Sequence, residues 1–454
     1  MKNKILVANR GEIAIRIIRA AKELGIETVA VYSEADATSL HVKLADEAIC
    51  IGEARSKDSY LHMNRVLSAA ISTGCNAIHP GYGFLSENSE FVEMVESCQI
   101  QFIGPTSKTI QMIGDKAEAR RIAKEHGVPI VEGSDGVIEN AQEGLKIAKK
   151  IGYPVMIKAS SGGGGRGISI VRSDDEFLSA FERTSMEAET SFGDKSLYIE
   201  KFIESPRHIE IQIIADHHGN MVHLFERDCS MQRRNQKMIE EAPSPVLNEM
   251  LRRKIGQTAL RLAKAINYRN AGTLEFLVDS KGNFYFIEMN TRIQVEHPIT
   301  EQITGVDLVK EQIKIAYGKE LSFKQRDLKI NGHAIECRIN AEHAMKGFIP
   351  APGKIQNILF PGGIGVRIDT HIYPGYEVPP FYDSMIAKLI VHAPTRREAI
   401  KKMRVALEQF VVEGIHTNIE YQYLIMHNPD FIKGQYDTGF IARFNTLVEA
   451  ENRE

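Results

Sequence analysis

Much is missing from this chain of 454 residues, and each absence removes a class of function. The five cysteines, Cys50, Cys75, Cys98, Cys229 and Cys337, are scattered, odd in number and without CxxC spacing. That excludes a disulfide or zinc framework and reads as reduced thiols in a cytosolic protein. Charge of one sign is not in excess: 56 Lys and Arg against 59 Asp and Glu leave a net charge of -3, so neither nucleic acid nor a membrane surface is an expected partner. Any anion site must come from local arrangement. At the N-terminus only Ile5-Leu6-Val7-Ala8 is continuously apolar before Asn9 and Arg10, too short for a signal peptide or membrane span, and it reads as a first strand. There is no internal repeat of solenoid period and no low-complexity tract. What remains, 43% hydrophobic and 25% charged, is an ordinary globular composition, long enough for about three domains.

Strand and helix signals alternate from the start. Lys4 to Ala8 reads as a strand, Glu12 to Leu24 as a helix ending at Gly25, and Thr28 to Tyr32 as a second strand. That is the opening of a doubly wound parallel sheet, expected over residues 1–114, with ligands at the first strand-to-helix turn near Gly11. The loop His79-Pro80-Gly81-Tyr82-Gly83-Phe84-Leu85-Ser86-Glu87-Asn88 follows a strand, Asn76 to Ile78, but Ser86 stands where a dinucleotide fingerprint needs glycine, so no nicotinamide site is read there. Next come a helix, Asp115 to His126, and two strands, Val155 to Lys158 and Ile168 to Val171, joined by a glycine loop as a lid-like unit at about 132–203. Alternating runs such as His208 to Ile214 predict an antiparallel sheet up to about 329, and a further mixed segment fills 330–446.

The most informative stretch is Phe286 to His297. If it is extended, side chains two apart share a face, so Glu288, Asn290, Arg292, Gln294 and Glu296 line one surface while Ile287, Met289, Ile293 and Val295 point to the other. The turn signal Ser280-Lys281-Gly282 joins Thr273–Val278 to Asn283–Glu288 and sets Glu275 opposite Glu288. Like charges directly across an antiparallel pair destabilise it, so the two carboxylates need protonation or a cation between them. A hard divalent ion held by Glu275, Glu288 and Asn290, with substrate phosphates completing its shell, is the simplest remedy. A solvated hairpin face is the alternative for the same residues.

Positive charge and backbone donors accompany the acids. Ser160 to Gly167, with Gly162 to Gly165 consecutive, follows the strand ending at Lys158 and can cradle phosphate through its amides. It is not a Walker loop, because no Gly-Lys-Ser/Thr follows and a strand comes next; a flexible linker is the other reading. Lys116 and Lys158 are candidate point charges on phosphate. Glu200-Lys201-Phe202-Ile203 ends a strand that can offer its backbone to an adenine edge, and the run from Arg227 to Lys237 holds four cations in eleven residues.

Taken together, Asn9-Arg10-Gly11-Glu12-Ile13-Ala14, the 79–88 loop, the glycine loop, Arg227-Asp228-Cys229-Ser230, Glu288 to His297 and Tyr382-Asp383-Ser384-Met385 resemble the biotin carboxylase family of ATP-grasp enzymes over residues 2–446. The resemblance implies an α/β and α+β architecture: an ATP-grasp fold at 115–329, an N-terminal doubly wound (pre-ATP-grasp) domain and a C-terminal mixed domain. It implies ATP-dependent carboxylation of biotin by bicarbonate through carboxyphosphate, as the first half-reaction of acetyl-CoA carboxylase in fatty acid synthesis. Lys116, Lys158, Gly164, Gly165, Glu200, Lys201, Phe202, Ile203, His208 and Asn235 are then expected at ATP, and Glu275, Glu288 and Asn290 at Mg²⁺ or Mn²⁺. Lys237, Arg292, Gln294 and the backbone of Val295 are expected at bicarbonate, Glu296 as its base, and Arg338 as the cation stabilising the biotin enolate. Two positions depart from the family: Asn235 stands where His is usual, and Ser161 replaces the first of five glycines.

No Met-Lys-Met biotin-attachment sequence is present, so biotin is expected on a carrier protein, with carboxyltransferase subunits as further partners and a cytoplasmic homodimer as the implied assembly. Competing readings are the same enzyme serving pyruvate, propionyl-CoA or another acceptor, another ATP-grasp ligase, and a catalytically silent nucleotide-binding regulator. The last predicts loss of a metal acid or of Glu296, and both are present.

Overall fold

The computed structural model describes residues 3–134, 136–160 and 167–451, so the phosphate-cradle residues Gly164 and Gly165, and Ser161, lie outside the described residues. The first unit is a five-stranded sheet in the order Glu47–Gly52, Glu27–Ser33, Lys4–Val7, Ala77–His79, Gln101–Phe102, with every pair parallel. Its central strand is apolar on both faces because helices cover both, and Ile5, Leu6 and Val7 are fully buried. From Lys4–Val7 the chain winds first to one side and then to the other. The switch point therefore falls between the ends of Lys4–Val7 and Ala77–His79, and the loops leaving them, from Asn9 and from Pro80, open on one crevice. Asn9 ties these loops together, its Nδ2 donating to the Pro80 and Tyr82 carbonyls at 2.7 Å each. At Gly81, with φ of +62°, a Cβ would come within 2.9 Å of that same Nδ2, so the close approach requires glycine.

The second sheet has eight antiparallel strands in the order Phe284–Asn290, Asn270–Val278, Arg207–Ala215, Met221–Arg233, Gln236–Ala242, His333–Asn340, Met385–Ala393, Val366–Thr370. It does not pause between residues 329 and 330. Glu240 pairs with Glu336 and Ile239 with Cys337, so the strand that opens the last third of the chain covers an edge that would otherwise be open. The predicted hairpin forms with longer strands. Asp279 Oδ1 accepts from the Lys281 and Asn283 amides, Gly282 takes φ +81°, and Glu275 faces Glu288.

The lid is a separate three-stranded antiparallel sheet, Ile168–Val171, Val155–Ala159, Leu197–Lys201, backed by helices Ala141–Ile151 and Asp174–Phe192. Its own small core contains Val155, Ile157, Phe177 and Ile199. Among the described residues no helix is long and apolar enough to cross a membrane.

One expectation needs correction. The segment from Phe286 to His297 is not extended throughout: the strand ends at Asn290, and helix His297–Thr304 begins after Glu296 with Pro298 in its first turn. Proline favours a helix start and cannot continue a ladder, so the chain bends at 291–296. Strict alternation fails at two places: Val295, beyond the bend, lines the cleft described next, and so does Ile287, which is the extra residue of a register shift between Phe286 and Glu288.

Candidate active site

The crevice of the first unit, the lid and one face of the long sheet enclose a cleft of about 1690 Å³. Of the described residues picked out from the sequence, Lys116, Lys158, Glu200, Lys201, Phe202, Ile203, His208, Asn235, Lys237, Glu275, Glu288, Asn290, Arg292, Gln294, Val295 and Arg338 all line it. Glu296 does not. It is fully buried, behind Lys237 and Arg338.

Lys237 is the hub of the site. Its Nζ donates to Glu210 Oε2 at 2.7 Å, Glu296 Oε1 at 2.8 Å and Glu275 Oε1 at 2.9 Å. Burial alone would lower its pKa, but the three carboxylates outweigh it and hold the ammonium charged far beyond the usual range. Behind it, the fully buried Arg227 pairs with Glu210 and donates to Gln212 Oε1 at 2.8 Å and Thr300 Oγ1 at 2.9 Å. Glu210, Cys229 and Glu296 converge closely enough to suggest a metal site, but the Lys237 ammonium already supplies the cation between the two carboxylates.

Glu296 is a carboxylate between two cations. Its second oxygen accepts from Arg338 NH2 at 2.9 Å, and Arg338 Nε donates to Glu240 at 2.6 Å. Burial would push the Glu296 carboxyl up; Lys237, Arg338 and Arg227 together hold it well below the ordinary carboxylate range. It is therefore ionised throughout the neutral range.

The metal expectation can be tested on the donor set. Glu275 is already well satisfied: Lys237, Asn290 Nδ2 at 2.9 Å and His208 Nε2 at 2.7 Å lie on its oxygens. Burial opposes its charge, yet Lys237 and His208 keep it well below the ordinary range. Glu288, directly opposite, has no hydrogen-bonding side chain on its carboxylate among the described residues, and burial followed by the charge of Glu275 raises its pKa. An under-compensated carboxylate beside a second acid and an amide oxygen fits a hard cation with oxygen ligands.

Arg292 lies at the edge of this row. Its Nε donates to Glu87 Oε2 at 2.8 Å, its NH1 to Gln294 Oε1 at 3.0 Å and its NH2 to Asn290 Oδ1 at 3.2 Å. The Val295 carbonyl accepts from the fully buried Lys388 at 2.8 Å, and Lys388 in turn pairs with Glu12 at 3.1 Å, which also receives the Tyr82 hydroxyl.

Across the cleft, the lid presents Lys158, whose Nζ donates to Glu200 Oε2 at 2.5 Å, while Arg120 takes the other Glu200 oxygen. Lys201 is differently placed. Its ammonium is tied at 2.8 Å to the Gly152 and Tyr153 carbonyls, and Lys201, Phe202 and Ile203 all line the cleft. Lys116 starts the helix Lys116–Glu125, capped by Asp115.

Several residues of the site escaped the sequence reading: Glu12, Glu87, Arg120, Glu210, Glu240 and Lys388. Glu12 and Glu87 sat inside motifs already singled out, without a role. Lys388 had a visible signal, a single lysine in the strand Met385–Ala393, which is apolar but for it and His392 near the end. A lysine there demands a buried anion.

Three sequence-family models match the chain: "Biotin carboxylase, N-terminal domain" over residues 1–110, "Carbamoyl-phosphate synthase L chain, ATP binding domain" over 115–324, and "Biotin carboxylase C-terminal domain" over 336–443. Biotin carboxylase 1 of Bacillus subtilis is 54% identical over 448 residues, covering 98% of this chain and all of that one. A pyruvate carboxylase subunit from Methanothermobacter thermautotrophicus is 53% identical, covering 100% of this chain and 92% of its own. Among solved structures, the biotin carboxylase domain dimer of Hydrogenobacter thermophilus 2-oxoglutarate carboxylase, in complex with MgADP, ADP and bicarbonate, has a TM-score of 0.93 at 51% identity, with 99% of each chain covered. With this cleft, this sheet order and these matches, the chain belongs to the biotin carboxylase family and is an ATP-dependent carboxylase with the ATP-grasp fold.

Proposed function

We propose that the chain carboxylates biotin carried on a biotin carboxyl carrier protein, consuming ATP and bicarbonate and releasing ADP and phosphate. The observation that carries the reading is Glu296 held ionised between Lys237 and Arg338, next to the facing pair Glu275 and Glu288. Three working units are proposed: 1–114, 115–329 with its lid at about 132–203, and 330–446.

The nucleotide lies between lid and long sheet, its adenine edge on the backbone of Glu200 to Ile203 and its phosphates near Lys116, Lys158, Gly164, Gly165 and His208, with Asn235 near the ribose. Glu275, Glu288 and Asn290 hold Mg²⁺, or Mn²⁺ in its place, which when bound neutralises charge on the transferred phosphoryl group. Bicarbonate is held by Lys237, Arg292, Gln294 and the backbone of Val295. Glu296, uncovered when Arg338 turns from it toward substrate, takes the bicarbonate proton on its carboxylate as the bicarbonate oxygen attacks the γ-phosphorus, and ADP leaves. Carboxyphosphate then gives its carboxyl group to the biotin ureido nitrogen: its bond from carbon to the phosphate oxygen breaks, and the departing phosphate carries off the proton that the nitrogen loses. Arg338, permanently charged, stabilises the enolate oxygen of biotin. The lid keeps water from the labile intermediate.

Among final acceptors we propose acetyl-CoA, for fatty acid synthesis, through separate carboxyltransferase subunits and a homodimer in the cytoplasm. The relatives named for pyruvate and 2-oxoglutarate carboxylases set the alternatives, which reconstitution with each carrier and transferase pair separates. The deciding test of the core reading is ADP release with Mg²⁺ and bicarbonate, with and without free biotin, by wild type and Glu296→Gln. Biotin-stimulated, bicarbonate-dependent turnover that falls about 10²- to 10⁴-fold in the variant is expected. Turnover indifferent to biotin points to another ATP-grasp ligase.

A further inference from the structure

The segment that would hold the anion, residues 291–296, has no ladder of its own, so something else must fix it. At its start stands Glu87, from the loop of the first unit. One carboxylate oxygen accepts from the Thr291 amide at 3.0 Å and from the Thr291 hydroxyl at 3.4 Å, and the other accepts from Arg292 Nε at 2.8 Å. Glu87 is itself well anchored. Ser86 N donates to Gly83 O at 3.0 Å, and on the other side Asn88 caps helix Ser89–Ser97 by accepting from Phe91 N at 2.8 Å. Of the acceptors on the Arg292 guanidinium, Glu87 alone is anionic among the described residues; the Ile293 carbonyl, Gln294 and Asn290 are neutral.

We propose that Glu87 is a positioning residue for the carboxylation step: by clamping Thr291 and the Nε side of Arg292, it turns the NH1 and NH2 edge toward Asn290 and Gln294, where bicarbonate binds. The proposal rests on the functional reading given above. An arriving anion then replaces neutral amide acceptors on Arg292, and the ion pair with Glu87 stays intact. Glu87 also brings the first unit into the chemistry, since among the described residues no other part of that unit hydrogen-bonds Arg292.

Positioning and plain electrostatics give opposite signs. Glu87 carries a negative charge near an anion site, so if charge were its only influence, Glu87→Gln would tighten bicarbonate binding. As a clamp, its glutamine variant puts an NH2 group in place of one of the two oxygens, so either the Thr291 amide and hydroxyl or Arg292 Nε loses its acceptor. Initial-rate kinetics of biotin-dependent ADP release, for wild type, Glu87→Gln and Glu87→Asp, distinguish the two. The expected result is a KM for bicarbonate raised about tenfold in Glu87→Gln, a KM for ATP within about twofold of wild type, and an intermediate value for Glu87→Asp, whose shorter carboxylate keeps the charge. A bicarbonate KM that is unchanged or lowered, or that rises together with the KM for ATP, overturns the proposal. Glu87 is part exposed, with 39% of its side chain accessible, and thermal unfolding of each variant checks that the fold is kept. Wild-type turnover indifferent to bicarbonate would overturn the functional reading itself, and this inference with it; wild-type dependence on bicarbonate without the Glu87→Gln effect overturns this inference alone.

Discussion

Lys237 and Lys158 face the same cleft from opposite walls, and their surroundings differ. Lys237, on the long sheet, touches three carboxylates and its side chain is 12% exposed. Lys158, on the lid, touches one carboxylate, Glu200, and its side chain is 23% exposed. Glu200 is also held by Arg120, so Lys158 can leave it for a phosphate without stranding a bare buried acid. Lys237 is held more firmly, because leaving weakens three buried acids at once, although Glu210 keeps Arg227, Glu275 keeps His208 and Glu296 keeps Arg338. If it moved, Glu210, Glu275 and Glu296 would share fewer cations in a buried site. One wall of the cleft thus holds its charges in place before substrate arrives, which lets them act without reorganisation. The other holds a cation it can give up.

The comparison breaks most visibly at Lys237. Lys237→Met keeps the chain length but leaves three carboxylates short of a partner, which is expected to cost about 3–5 kcal/mol of stability in denaturant unfolding. The pH sign follows from Glu296. Its pKa is depressed in the folded protein, so its contribution to stability is present above the ordinary carboxylate range and is lost as pH falls through the folded value. Without Lys237, burial weighs more and the Glu296 pKa rises. Activity remaining in Lys237→Met should therefore be lost at a higher pH than in wild type, and a variant with an unshifted acid limb would contradict the account of Glu296.

Lys158→Met probes the other wall. Its ion pair is partly solvated and Glu200 keeps Arg120, so stability should change by only about 0–1 kcal/mol. The KM for ATP should rise about tenfold, equivalent to about 1.4 kcal/mol of lost binding. A large loss of stability with unchanged ATP affinity would reverse the contrast between the walls.

The same contrast governs what could be read from the sequence. The doubly wound unit, the hairpin and the lid strands were legible because strands and turns leave local signals: apolar runs, Gly25 at the helix end, and Ser280-Lys281-Gly282 between alternating runs. Glu275 does face Glu288, but through a register shift the turn does not announce: counting outward from Val278 opposite Phe284 leads to Ile287, and one extra residue in Phe284–Asn290 brings Glu288 across instead. The shared sheet across 329/330 was not legible, because the pairing of Glu240 with Glu336 joins strands 96 residues apart in number, with nothing local to announce it. The partners of the cleft residues were hidden for the same reason. Glu87 reaches Arg292 across 205 positions and Lys388 reaches Val295 across 93, so each looks like one more charged residue until the fold closes. Alternation also misled at Val295, since the bend before helix His297–Thr304 replaces the period of two.

Asn235 offers the finest test, because sequence and structure give it different duties. Resemblance assigns it to the ribose, in place of a family histidine. The structure places it in a two-residue hairpin turn, with Arg233 paired to Gln236 and positive φ at both Arg234, 49°, and Asn235, 64°. Asparagine tolerates that conformation better than most residues, which is a sufficient reason for its presence. The two duties separate with two substitutions. Asn235→Gly keeps the turn and removes the amide; Asn235→Val puts a β-branched side chain where φ is positive and should cost about 1–2 kcal/mol. If the amide serves only the turn, Asn235→Gly leaves both stability and the KM for ATP nearly unchanged, within about 0.5 kcal/mol. If it also meets the ribose, the same variant raises the KM for ATP with no change in thermal unfolding, and a residue of the wall that holds Lys237 is then shared with the nucleotide that Lys158 reaches from the other.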